Sequence, residues 1–135
     1  PLSQVHETVK PTAEELHGRT NMGEVLQLRG EVIQTFRLSN LIHKNPKPKP
    51  QNHQPIALIF RGSEMPYAVL VDDILRQQQV VVKQLGSELK NIKGYSGSAI
   101  LGDGKPALIL ETFDLISQYK PVRLVPSAGA ERGIA

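Results

Sequence analysis

The sequence has no cysteine and no tryptophan, and only three Tyr and three Phe among its 135 residues. Without thiols there is no disulfide framework, no Cys-based zinc site, no iron–sulfur cluster and no thiol nucleophile, and a cytoplasmic location is the expectation. No run approaches the roughly 18 to 20 apolar residues that span a bilayer, and the N-terminus has no basic segment followed by an apolar one. Neither membrane insertion nor a signal peptide is expected. Acidic and basic residues nearly balance, leaving a net charge of +3. That charge is dispersed, apart from Lys44, Lys47 and Lys49 in HKNPKPKPQNHQP, where alternating prolines favour extended, polyproline-like backbone. With few aromatic faces on which bases could stack, nucleic acid is not the expected partner.

Reactive constellations are missing as well. His6, His17, His43 and His53 stand apart, none spaced to put two ligands on one helix face, so no metal is expected. Asp72 and Asp73 are adjacent after a strand-like run, where neighbouring side chains point to opposite faces; a turn or helix-start role fits them better than a cation site. Gly102-Asp-Gly-Lys105 lacks the spacing of a phosphate-binding loop and is followed by Pro106 instead of Ser or Thr. Gly94-Tyr-Ser-Gly97 lacks the spacing of a nucleophile elbow. No cofactor and no reaction are implied.

What is present is a succession of short apolar runs punctuated by turns. Glu24–Leu28 and Glu31–Phe36 alternate around Arg29-Gly30, a hairpin signature. Pro55–Phe60 and Tyr67–Val71 flank a short turn, Ile74–Gln79 crosses over to the β-branched run Val80–Val82, and Tyr95–Leu101 and Pro106–Leu110 bracket the Asp103-Gly104 turn. Helices are expected at Thr12–Gly18, capped by Thr12, and at Thr112–Gln118, with a helical turn at Ser87–Ile92. The segment Lys44–Pro55 reads as an exposed loop, and Val122–Ala135 as an unstructured tail. About eight strands with short helices between them indicate an all-β, barrel-type architecture and not a parallel α/β sheet.

One strand has unusual composition. In Gly94-Tyr-Ser-Gly-Ser-Ala99 nearly every side chain is small, so something must approach this backbone closely. Two neighbours satisfy that need: another strand of the same domain, or a groove that admits a partner's helix. Gly94, Ser96, Gly97 and Ser98 are therefore candidate partner-binding residues.

The order of a Tyr-x-x-x-Val-Asp strand at Tyr67, Val80-Val-Val-Lys-x-Leu85, Gly94-Tyr-Ser-Gly-Ser-Ala-Ile-Leu-Gly-Asp-Gly104 and Ala107-Leu-Ile-Leu110 resembles the CheW-like regulatory domains of bacterial chemotaxis histidine kinases of the CheA type. The likeness runs from Pro1-Leu-Ser-Gln-Val5 through Val25–Glu31 to Phe113, giving a CheW-like domain over residues 1–120 and a tail over 121–135. It implies two intertwined SH3-like β-barrel subdomains. It also implies a cytoplasmic scaffold, held at membrane-associated receptor arrays, that couples CheA's other domains to the adaptor CheW and to the helical cytoplasmic tips of chemoreceptors. The phosphoacceptor and ATP-binding parts of such kinases are not in this sequence, so the domain is expected to be non-catalytic. By the same resemblance Val5, Glu7 and Arg29 fall at partner-contact positions, with Arg29 able to pair with Glu7. Family domains begin with further strands before the Pro-Leu-Ser-Gln-Val segment, so an open edge is expected, filled by a neighbouring copy in a strand-exchanged homo-oligomer or by Val122–Val125. The alternatives are a stand-alone CheW-type adaptor and, from another class, a basic β-barrel that binds nucleic acid through Lys44–Lys49.

Overall fold

A computed structural model describes residues 4–19, 23–43, 45, 47–50, 52–62, 65–84, 86 and 92–118. Among these described residues are nine strands, β1 (Glu7–Val9), β2 (Leu16–Arg19), β3 (Gly23–Leu28), β4 (Glu31–Arg37), β5 (Ile56–Phe60), β6 (Tyr67–Val71), β7 (Val81–Lys83), β8 (Tyr95–Ile100) and β9 (Pro106–Leu110), and two short helices, α1 (Leu38–Ile42) and α2 (Thr112–Gln118). They form a six-stranded sheet in the order β1-β5-β6-β4-β3-β2 and a three-stranded sheet in the order β7-β8-β9. This is an all-β, two-sheet fold with short helices, as the turn-punctuated pattern predicts.

The large sheet is curled. Laid flat, its edge strands β1 and β2 would lie five strand spacings apart, about 24 Å. They are joined by residues 10–15 alone, and that link doubles back: the Thr12 carbonyl accepts from the amides of Glu15 and Leu16. Val9 from one edge and Leu16 from the other pack against the same cluster of Leu26, Leu28, Ile33, Ala57, Ile59, Ala68 and Leu70. Alternation explains the cluster, because side chains two apart share a face and Ile33, Ile59 and Leu26 are fully buried on the inner one. Each such side chain contributes about 1.5 to 3 kcal/mol by leaving water. The outer face carries a second apolar layer. There Phe36, Phe60 and Val69 are buried, Tyr67 stacks on Phe60 with ring centroids 5.0 Å apart, and Phe113 of α2 leans on Tyr67.

The helix expected at Thr12–Gly18 does not form. Thr12 and Glu15 make the reciprocal bonds of a capping box, Thr12 N–H to Glu15 Oε1 at 2.9 Å and Glu15 N–H to Thr12 Oγ1 at 3.3 Å, but they close a single turn. From Leu16 onward the chain pairs with β3, Leu16 opposite Leu26 and His17 opposite Val25. The ladder with β3 pairs the backbone groups on one side of this edge strand and packs the half-buried Leu16 against the core, which an isolated helix of seven residues cannot match. The helical turn expected at Ser87–Ile92 and the tail strand Val122–Val125 lie outside the described residues.

The two hairpin turns are built differently. At Arg29-Gly30 both residues have positive φ, 49° and 81°, and Leu28 pairs directly with Glu31, the geometry of a two-residue type I′ loop. At Gly102–Gly104 only Gly104 has positive φ, 83°. The Gly104 amide donates to the Leu101 carbonyl, the Leu101 amide to the Lys105 carbonyl, and Asp103 Oδ1 accepts from the Lys105 amide at 3.0 Å, a three-residue loop with glycine at its left-handed position.

Candidate partner-binding surface

The inner rows of the curled sheet end in charge at both mouths. On β1 the inner row runs Val9 then Glu7, on β4 Ile33 then Glu31, and on β5 Ile59 then, just past the strand, Arg61. Arg29 reaches the same mouth from its turn. Arg29 Nη2 donates to Glu7 Oε1 at 2.5 Å, and Arg61 forms a two-pronged bond with Glu31, Nη1 to Oε2 at 3.0 Å and Nη2 to Oε1 at 2.6 Å. The hydrogen bonds from Arg61 hold the Glu31 carboxyl below its ordinary range against an opposing desolvation effect, and attraction from Arg61 and Arg29 adds to the lowering. Arg61 is correspondingly raised, first by its bond to Glu31, with Glu7 contributing through space. Each arginine therefore feels both carboxylates' sides of the network, and the four charges cancel.

At the opposite mouth Arg37 grips Glu24 through Nε and, at 2.8 Å, through Nη2. Beside it Asp72 accepts from Lys49 Nζ at 2.8 Å, and its other oxygen lies 3.4 Å from His53 Nε2. The Asp72 carboxyl is lowered chiefly by Lys49 and then by His53. These contacts lay the proline-rich loop over a cleft of about 720 Å3 lined by Leu16, Arg37, Lys47, Lys49, His53 and Asp72, among others. Lys49, one of the lysines considered for nucleic-acid contact, is thus neutralised within the chain. Asp73, its acidic neighbour, accepts from the Ile74 amide at 2.8 Å.

Of the residues singled out in the sequence, Glu7 and Arg29 are brought together, with Val5 half-buried just ahead of β1. Gly94, Ser96, Gly97 and Ser98 lie on the other sheet. Gly94 and Gly97 are buried, and the chain itself supplies the close neighbours that their size requires. A Cβ on Gly97 would sit 2.8 Å from the Lys83 carbonyl of β7, and one on Gly94, where φ is 99°, would strike the Leu115 side chain of α2 at 2.3 Å. Ser96 is exposed and Ser98 half-buried, so the hydroxyls, and not the glycines, are the part of this stretch open to a partner. A register shift between Tyr95 and Gly97 marks Ser96 as the residue of a β-bulge. Glu31 and Arg61 were missed in the sequence. The available signal was the break in each inner apolar row, I-x-E read backward along β4 and I-x-R along β5, where a charge occupies the next inward position.

Comparisons with known proteins place this architecture. A family model described as the CheW-like domain matches residues 1–120. The chemotaxis protein CheA of Klebsiella aerogenes is 38% identical over 114 residues, covering 82% of this chain and 17% of that protein. The sensor histidine kinase CheAY of Helicobacter pylori is 34% identical over 124 residues, covering 92% and 15%. The chemotaxis protein CheA of Bacillus subtilis is 33% identical over 116 residues, covering 86% and 17%. The chain thus spans less than a fifth of the length of these relatives. With the family model covering all of the described residues and the two-sheet all-β fold in agreement with it, the chain belongs to the CheW-like domain family.

Proposed function

We propose that this chain is the non-catalytic regulatory domain of a CheA-type chemotaxis kinase, a cytoplasmic scaffold at receptor arrays that couples the kinase's other domains to a CheW-type adaptor and to chemoreceptor tips. The observation that carries this reading is that relatives at least a third identical over the aligned stretch are named chemotaxis protein CheA or sensor histidine kinase CheAY, and that each matches it over a small part of its own length. That pattern favours a domain of a kinase over a stand-alone adaptor. A scaffold needs a firm surface more than a reactive pocket, and the mouth carrying Glu7 and Arg29 is one. Its charges are fixed by hydrogen bonds to each other, and its backbone is held by a tight turn.

The test is a pull-down of a purified CheW-type adaptor and of a receptor signalling fragment with the full chain. The wild type is expected to bind the adaptor, Arg29→Glu to lose most of that binding while keeping its thermal midpoint within a few degrees, and Ser96→Trp to report whether the exposed bulge of β8 takes part. Binding to neither partner by the wild-type chain rejects the chemotaxis reading. Strong, salt-dependent binding to duplex DNA instead would favour the nucleic-acid alternative.

A further inference from the structure

Arg29 is the sole residue other than glycine with positive φ among the described residues, at 49°. The first position of a type I′ turn is best filled by Asn, Asp or Gly, and a residue with a long side chain is disfavoured there. A backbone cost of this kind persists where the side chain is needed. The side chain in question is 63% exposed, and among the described residues its one hydrogen-bond partner is Glu7, through Nη2. Its surroundings are ordered by a pair whose own exposure is lower. Arg61 and Glu31 lock each other two-pronged, and Glu31 lies within electrostatic reach of Arg29 as Glu7 does of Arg61. The alternating order Glu7, Arg29, Glu31, Arg61 leaves each cation flanked by carboxylates, so removing Arg61 would free Glu31 to compete with Glu7 for Arg29.

We propose that Glu31 and Arg61 are positioning residues which keep Arg29 on Glu7 and so present its free guanidinium edge to a carboxylate of a partner protein. The strained turn is retained for that contact. This rests on the reading of the chain as an adaptor-binding scaffold. Arg61 touches no partner in this scheme; it acts by occupying Glu31.

Two measurements on the full chain test it. The first needs no partner: a double-mutant cycle of Glu7→Gln and Arg29→Gln, read as thermal midpoints, is made in wild-type and Arg61→Ala backgrounds. The coupling between Glu7 and Arg29 is expected to shrink by half or more without Arg61. An undiminished coupling overturns the proposal. The second is titration with a purified CheW-type adaptor. Arg61→Ala is expected to weaken binding about two- to fivefold, the scale of one exposed ion pair, and to have no further effect when Arg29 is already Gln. An equal effect in both backgrounds means that Arg61 contacts the partner itself, and overturns the proposal. Arg29→Asn, which suits the turn, is expected to keep or raise the thermal midpoint while losing affinity. A lower midpoint with affinity unchanged would make Arg29 structural and reject the idea. If the wild type binds no adaptor, the functional reading fails. Wild-type binding with Arg61→Ala binding equally well defeats this proposal alone.

Discussion

Gly97 and Tyr67 show how single residues set the local architecture. Gly97 sits where β8 passes under β7, and a Cβ there would stand 2.8 Å from the Lys83 carbonyl oxygen, closer than real contacts allow. Since the obstacle is backbone, relief requires β7 to move away from β8. Gly97→Ala is therefore expected to lower stability by about 1 to 3 kcal/mol, the usual cost of overpacking, as measured by chemical denaturation; stability equal to wild type would show that β7 yields freely. Tyr67 couples the large sheet to α2. Its hydroxyl lies 3.2 Å from Thr112 Oγ1, and its ring stands between Phe60 and Phe113. Burial raises its phenol above the ordinary value of 10.0, partly offset by the bond to Thr112. A group whose pKa is raised on folding contributes stability that is present below its unfolded pKa and lost as pH rises through the folded one. The thermal midpoint should accordingly fall above about pH 10, and fall less steeply in Tyr67→Phe, which cannot ionise. Parallel alkaline limbs in the two proteins would remove Tyr67 from that account.

Among the elements, the two sheets are unequal. Among the described residues, ten of the twelve buried hydrophobic ones belong to the six-stranded sheet, while the three-stranded sheet contributes Ala99 and α2 contributes Leu115. Every residue of β7 is exposed, and Val81, Ile100 and Leu108, in neighbouring strands on one face of the small sheet, stand more than two-fifths open to solvent. Local stability follows buried apolar contact. Amide hydrogen exchange should thus divide the molecule. The amides of β4, β5 and β6 are expected to exchange through global unfolding, and those of β8 that bond to β7 at least about tenfold faster, through opening of the small sheet. Uniform protection across both sheets would contradict this. Leu115 of α2 packs on Gly94, just ahead of β8, and the Glu111 amide donates to the Gly94 carbonyl, so the start of the small sheet is tied to α2.

On the scale of the whole molecule, the curled sheet is a short apolar core closed at each mouth by ion pairs. Two of the carboxylates concerned, Glu31 and Asp72, are depressed by their cations. Carboxylates depressed on folding contribute stability that is present above their unfolded pKa and lost as pH falls through the folded value. The ordinary values are 4.5 for Glu31 and 3.8 for Asp72, so stability should begin to decline below about pH 4.5 and continue downward as both mouths are neutralised. Both groups face solvent, so each contributes little. The combined variant Glu31→Gln with Asp72→Asn should show a flatter acid limb in thermal midpoints measured from pH 6 down to pH 3. An acid limb as steep as that of the wild type would assign the loss to other carboxylates.

Local patterning determined much of this protein. The alternation in Glu24–Leu28 and Glu31–Phe36 with Arg29-Gly30 between them specified one hairpin, and Asp103-Gly104 another, because period-two burial and turn chemistry act over a few neighbouring residues. The helix at Thr112–Gln118 and the pairing of Glu7 with Arg29 were legible too, the latter through family likeness and not through spacing. Other features depended on distant chain. Thr12 and Glu15 carry a helix-start signal, but the free edge of β3 captured the residues after it, and a seven-residue helix has too few bonds to resist. The small residues of Gly94–Ala99 announced a close neighbour without naming it; only the arrival of Lys83 and Leu115 decided that the neighbour at both glycines is the chain itself. The grouping of Glu31 and Arg61 with Glu7 and Arg29 exists because the sheet curls, bringing to one mouth charges that lie up to 54 positions apart, from Glu7 to Arg61. Sequence determines which strands and turns form, since those preferences are local, whereas the tertiary structure alone decides which of their ends meet.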